Sequence, residues 1–136
     1  MKLGCISWSH RADFDSGRLD LFSWMEHCRQ DAKLDGVELW NNSFGSLEPD
    51  YLEKLLEKSR ELSLPIYSVA TGARCGDVSL EEMGRVRATV RQWLAITDVL
   101  GASVMRISGG GGDLRNPDRQ RIVFESLASV VREGTY

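Results

Sequence analysis

The sequence is poor in the residues that special chemistry asks for. It has two histidines, three prolines and three cysteines in 136 residues. Cys5, Cys28 and Cys75 are odd in number, far apart and without a CxxC pair. That excludes a disulfide framework and a zinc knuckle, and points to reduced thiols in a cytoplasmic protein. Cys5 and Cys28 fall on apolar stretches and read as core fillers. Cys75 is expected in a loop beside Arg74, where a reactive thiol is the alternative reading. No apolar run approaches the roughly 18 residues that span a bilayer. Met1 to Ile6 is too short for a signal peptide and polar residues follow at once. Positive charge is not in excess: 17 Lys and Arg face 20 Asp and Glu, a net charge of −3. Nothing therefore draws the chain to nucleic acid or an anionic membrane. The densest basic group, Arg85, Arg87 and Arg91, lies in a predicted helix and reads as its solvated face.

What is present is an ordinary globular composition, 42% hydrophobic and 27% charged, arranged as short apolar runs between longer helical patterns. Leu3 to Trp8 reads as a strand, followed by a polar stretch from Ser9 to Gly17. Leu21, Met25, Cys28 and Ala32 recur at helical spacing. Val37 to Trp40 is a second strand, and Asn41 to Leu47 a polar loop. Leu52, Leu55, Leu56, Ser59 and Leu62 mark one face of a second helix with Pro49 in its first turn. Pro65 stops that helix and opens a third strand, Ile66 to Ala70, with a loop from Thr71 to Val78. Ser79 and Glu82 have capping-box spacing. Met83, Val86, Val90, Trp93, Leu94 and Thr97 carry the buried face of a third helix that Gly101 ends. Ser103 to Ile107 is a fourth strand. Asn116 and Pro117 open a fourth helix with Ile122, Val123, Leu127, Val130 and Val131 inside and Gly134 at its close.

The order is βαβαβαβα over residues 1–136, read as one domain. Strict alternation implies a parallel sheet. A closed (β/α)8 barrel of the TIM type takes about 250 residues, so four units make a (β/α)4 half, with strands in order 1-2-3-4 and helices outside. An open, doubly covered flavodoxin-like sheet is the alternative. Its strands would be nearly continuous Val, Ile and Leu, whereas these carry Glu38, Ser68 and Arg106.

Gly36-Val37-Glu38-Leu39-Trp40-Asn41-Asn42 resembles the xylose isomerase-like TIM barrels, specifically the sugar phosphate isomerase/epimerase family. Gly4-Cys5-Ile6-Ser7-Trp8-Ser9 is similar to the first strand of those proteins. Leu64-Pro65-Ile66-Tyr67-Ser68 is similar to their third strand. The stretch from Trp93 through Leu100 to Arg106 is similar to their third helix and fourth strand. The resemblance covers nearly the whole chain, as an amino-terminal half. It implies a divalent metal (Mn, Mg, Co or Zn) in the full-length family, held by Glu, Asp, His and Glu on strands five to eight. It also implies a small sugar or polyol as substrate. Two of the carboxylates would shuttle a proton beside a metal-polarised carbonyl. The chain is expected to stop short of those strands, so it is given no metal ligand and no catalytic residue.

The related endonuclease IV group places zinc-binding histidines at the ends of strands three and four. Thr71 and Ser108-Gly109 stand there instead, which argues against a DNA-repair metal site.

The substrate-facing candidates are Trp8, His10, Glu38, Trp40, Thr71 and Arg106. Trp8 reads equally as an apolar wall against a sugar and as core, His10 as a partner for a hydroxyl or a solvated loop residue. Glu38 needs a partner if buried, and Arg106 is the candidate. The pair is structural or faces substrate, and Arg106 alone suits an anion. Trp40 ends its strand at the expected mouth. Gly109 to Gly112 could cradle a phosphate but lacks the P-loop pattern, so it reads as a loop over the mouth, with Asp113 a single carboxylate beside it. Two functions remain open: the amino-terminal part of a metal-dependent sugar isomerase or epimerase, inactive alone, or a non-catalytic half-barrel that self-associates or pairs with a second half.

Overall fold

The structure, a computed structural model, describes residues 1–75, 82–111, 113 and 115–132. The capping-box serine at 79 and the helix-closing glycine at 134 lie outside the described residues. The strands are β1 (Gly4–Ile6), β2 (Gly36–Trp40), β3 (Ile66–Arg74) and β4 (Val104–Ser108). The helices are α1 (Arg11–Asp15), α2 (Leu21–Gln30), α3 (Pro49–Glu61), α4 (Met83–Val99) and α5 (Pro117–Val131).

Local chemistry sets most boundaries. Asp20 caps α2: its carboxylate accepts the Ser23 backbone N–H at 2.8 Å, and the Ser23 hydroxyl accepts the Asp20 N–H at 3.2 Å. Pro49 and Pro117 occupy first turns, where a missing N–H loses nothing. The Asn116 side chain accepts from Asp118 N and Arg119 N at 2.9 and 3.3 Å. Helices α3 and α4 end alike. Ser63 and Gly101 take left-handed φ values of 48° and 66°, and the next N–H reaches five residues back, Leu64 to Ser59 and Ala102 to Thr97. Lys33, at φ 56°, turns the chain after α2.

All four strands are parallel in the order β1-β2-β3-β4. Helices α2 and α4 pack on strands, and α2 to α5 pack as successive neighbours. The doubly wound alternative is thereby excluded. Val37, Leu39 and Val69 point toward the helices and join Leu21, Trp24, Met25, Leu55 and Leu64 in the main core. A second cluster joins Ala73, Cys75, Met83, Val90 and Val130. On the other face the register sets Ile6 beside Glu38, Glu38 beside Ser68, Trp40 beside Ala70, and Ala70 beside Arg106.

Several boundaries differ from the sequence reading. The first strand stops at Ile6, and Ser7–His10 coils into a 3₁₀ turn before the short α1, in a stretch read as polar connection. Helix α2 ends at Gln30 and leaves Ala32 exposed. Strand β3 runs on to Arg74 through residues read as loop, because Arg74 still pairs with Ser108. In α5, Val131 is exposed while Ser126 is buried. A stripe through Val123, Ser126 and Val130 keeps the 3.6-residue period, and Val131 falls beside it. Among the described residues no helix is long and apolar enough to cross a membrane.

Candidate functional site

The helix-free face of the sheet carries the site, at the carboxyl ends of the strands. Ile6, Trp8, Trp40, Ala70, Thr71 and Arg106 line a cleft of about 330 Å³ there. Gly4, Ile6, Glu38, Tyr67 and Ser68 help line an adjoining hollow of the same size. At the amino end a register shift between Val37 and Glu38 sets Tyr67 opposite no β2 residue. A Cβ on Gly36 would collide with the Tyr67 ring and stand 2.8 Å from the Pro65 carbonyl oxygen. Only glycine admits that close approach.

Between the two hollows, Arg106 donates from Nε to Glu38 Oε1 at 2.6 Å, spanning from β4 across β3 to β2. The expected pair is therefore formed. The Arg106 side chain keeps 55% of its surface exposed and that of Glu38 25%, so the charges lie on the floor of an open face. Trp8 is 46% exposed, and the Arg11 guanidinium stacks over its ring at 4.5 Å.

Ser7 ties the rim together, a role the sequence reading missed. Its buried hydroxyl oxygen accepts from Trp40 N at 2.8 Å and from the Ser43 hydroxyl at 2.9 Å. The segment after β1 is thus bonded to the end of β2, and Trp8 and Trp40 are held near one another. A small hydroxyl residue at a strand end was the available signal. Thr71 is buried; its hydroxyl reaches the Arg106 carbonyl oxygen at 3.4 Å and accepts from Ala73 N at 3.3 Å. It lines the cleft and braces β3 against β4.

Other candidates sit elsewhere. His10 does not line the cleft: its Nδ1 accepts the Trp24 indole N–H at 3.1 Å, which places the proton of a neutral ring on Nε2. In the glycine run, Gly110 N donates to the Ser108 hydroxyl at 3.2 Å and the Gly111 carbonyl accepts from Arg119 Nε at 3.1 Å. Gly112 lies outside the described residues. Both carboxylate oxygens of Asp113 accept from Arg115, at 2.9 and 3.1 Å. That side chain, with its backbone N–H, holds the Asp113 carboxyl below the usual carboxylate range.

Cys75 is fully buried, and burial pushes its thiol up. The reactive-thiol alternative is therefore corrected: a buried, protonated thiol is a poor nucleophile. Cys28 is pushed up to about 12 for the same reason, with a contribution from Cys5.

Among the described residues, the donors on this face do not suit a divalent metal. Among the described residues no three of His, Cys, Asp and Glu converge, Glu38 is engaged by Arg106, and Asp113 by Arg115. Oxygen-preferring cations need several ligands at once.

No family model matches the sequence, and no curated protein matches it significantly. Solved structures do. One, from Rhodospirillum rubrum ATCC 11170, is described as a "putative xylose isomerase". It aligns at 19% identity with a TM-score of 0.64, over 98% of this chain and 51% of its own. A protein from Sinorhizobium meliloti 1021 aligns at 15% identity with a TM-score of 0.65, over 97% of this chain and 46% of its own. The chain thus spans about half the length of either. With four parallel strands in sequential order and helices on one side, it has the fold of half a TIM-type (β/α)8 barrel, matching about half of each of these structures.

Proposed function

We propose that the chain supplies the amino-terminal half of a metal-dependent sugar isomerase or epimerase, contributing the substrate-facing wall. The observation that carries this reading is the convergence of Trp8, Trp40, Thr71 and Arg106 on one cleft at the carboxyl ends of parallel strands. Active sites of (β/α)8 enzymes are built at that end. Aromatic faces beside a few placed polar groups suit a sugar or polyol. The resemblance assigns the metal ligands to strands five to eight, which a complementary half would supply. That half is a second (β/α)4 unit paired along the open edges of β1 and β4. A cytoplasmic setting, with thiols reduced, belongs to the same reading.

The test is calorimetric titration of the 136-residue chain with manganese, followed by isomerisation and epimerisation assays on several ketoses. The expected result is neither tight metal binding nor turnover, while ketoses perturb tryptophan fluorescence. Tight metal binding with turnover would show that this half, or two copies of it, holds the whole site. A chain whose tryptophans respond to no sugar would favour a non-catalytic half-barrel.

A further inference from the structure

We infer that Arg106, held by Glu38, is a binding site for the anionic end of the substrate, a carboxylate or phosphate carried on a short polyol. The bond between Nε and Glu38 Oε1 fixes one edge of the guanidinium at 2.6 Å. Neither Nη nitrogen meets a hydrogen-bond partner among the described residues, and the side chain is more than half exposed. A planar group anchored along one edge presents the other as a ready fork for two anionic oxygens. Among the described residues, Arg106 is the only charged one lining the cleft. Its other walls among the described residues are Ile6, Trp8, Trp40, Ala70 and Thr71, mostly apolar surface on which the carbon chain of a ligand can rest while its anionic end meets the guanidinium.

Charge balance supports an anion over a cation. Glu38 lines the adjoining hollow, not the cleft, and its carboxylate is turned to Nε. A second guanidinium, Arg11, lies on the Trp8 ring that forms one wall. Among the described residues that line the cleft, the charge is thus positive. Glu38 is a positioning residue here, and Arg106 the group that touches the ligand.

The inference deepens the sugar-isomerase reading by naming the charge of the substrate, and it is tested by binding alone. The probes are glycerol 3-phosphate, glycerate and glycerol, which share three carbons and differ in charge. They are titrated into the isotope-labelled chain while the four tryptophan indole N–H signals are followed. Both anions should bind, glycerol at least about tenfold more weakly, with shifts confined to Trp8 and Trp40 while the buried Trp24 and Trp93 stay in place. Arg106→Gln should lower anion affinity at least about tenfold, and Arg106→Lys, which keeps the charge but loses the fork, by a smaller factor of about five. Which anion binds more tightly separates a phosphate-bearing ligand from a sugar acid. Equal binding of glycerol and the anions, shifts spread over all four tryptophans, or an Arg106→Lys variant that binds like the wild type would each overturn the inference. The wild-type shift pattern decides the matter even if a variant fails to fold. Anion binding that survives without turnover in any completed barrel would instead sink the isomerase reading and leave the anion site standing.

Discussion

Leu39 and Glu38 are neighbours in β2 and lie on opposite faces of one sheet. Leu39 is completely buried in the main core, whereas Glu38 lies on the helix-free face, bonded to Arg106. The same division runs through β4, where Met105 packs toward the core and Val104 is 54% exposed. One face is fixed by packing and tolerates little change. The other is fixed by a few polar bonds and is free to carry chemistry. Core packing and the candidate site are therefore written on separate residues that alternate along the same strands.

Four substitutions would break or sharpen that contrast. Leu39→Ala should have the largest effect, a loss of about 3 kcal/mol, since it leaves a cavity in a closed core. Urea unfolding followed by circular dichroism measures it. Ser7→Ala removes the acceptor of the Trp40 N–H and the Ser43 hydroxyl. Leaving buried donors without a partner costs about 2 kcal/mol, and the same variant should disturb the tryptophans of the cleft, a response Leu39→Ala would not single out. Asp20→Ala removes the cap of α2 and should cost about 1 kcal/mol at neutral pH. The bond from Ser23 holds the Asp20 carboxyl below its usual range. Its contribution is present above about pH 4 and is lost as pH falls through the folded value, so wild type and variant should converge at low pH. Val104→Lys on the open face should change stability by no more than about 0.5 kcal/mol. It should instead weaken self-association, read by light scattering at micromolar concentration. A large stability loss there would mean that the open face is already covered in the free chain.

The outer face was the legible one. Periodic apolar residues revealed the four long helices, and the spacing of Pro49, Asn116, Pro117 and Gly101 gave real caps and stops. The pairing of Glu38 with Arg106 could be read because two opposite charges inside strands ask for one another. Less was visible where bonds, not packing, decide. The Arg11–Asp15 turn has no apolar period to announce it. Strand β3 extends because its partner strand continues alongside, which local sequence cannot express. The register shift before Tyr67, the bracing role of Ser7 and the turn of His10 toward Trp24 all depend on residues far apart in sequence.

The sequential, all-parallel strand order has a consequence for symmetry. The sheet ends in two unlike edges, β1 on one side and β4 on the other, running in the same direction. An edge-to-edge contact between copies would join unlike surfaces, and such head-to-tail contacts either close into a ring or grow without limit. The arc subtended by the strands decides which. Four strands of an eight-stranded barrel sweep half a circle, so a ring built from such contacts would close after one further half, about an axis along the barrel, with no edge left for a third.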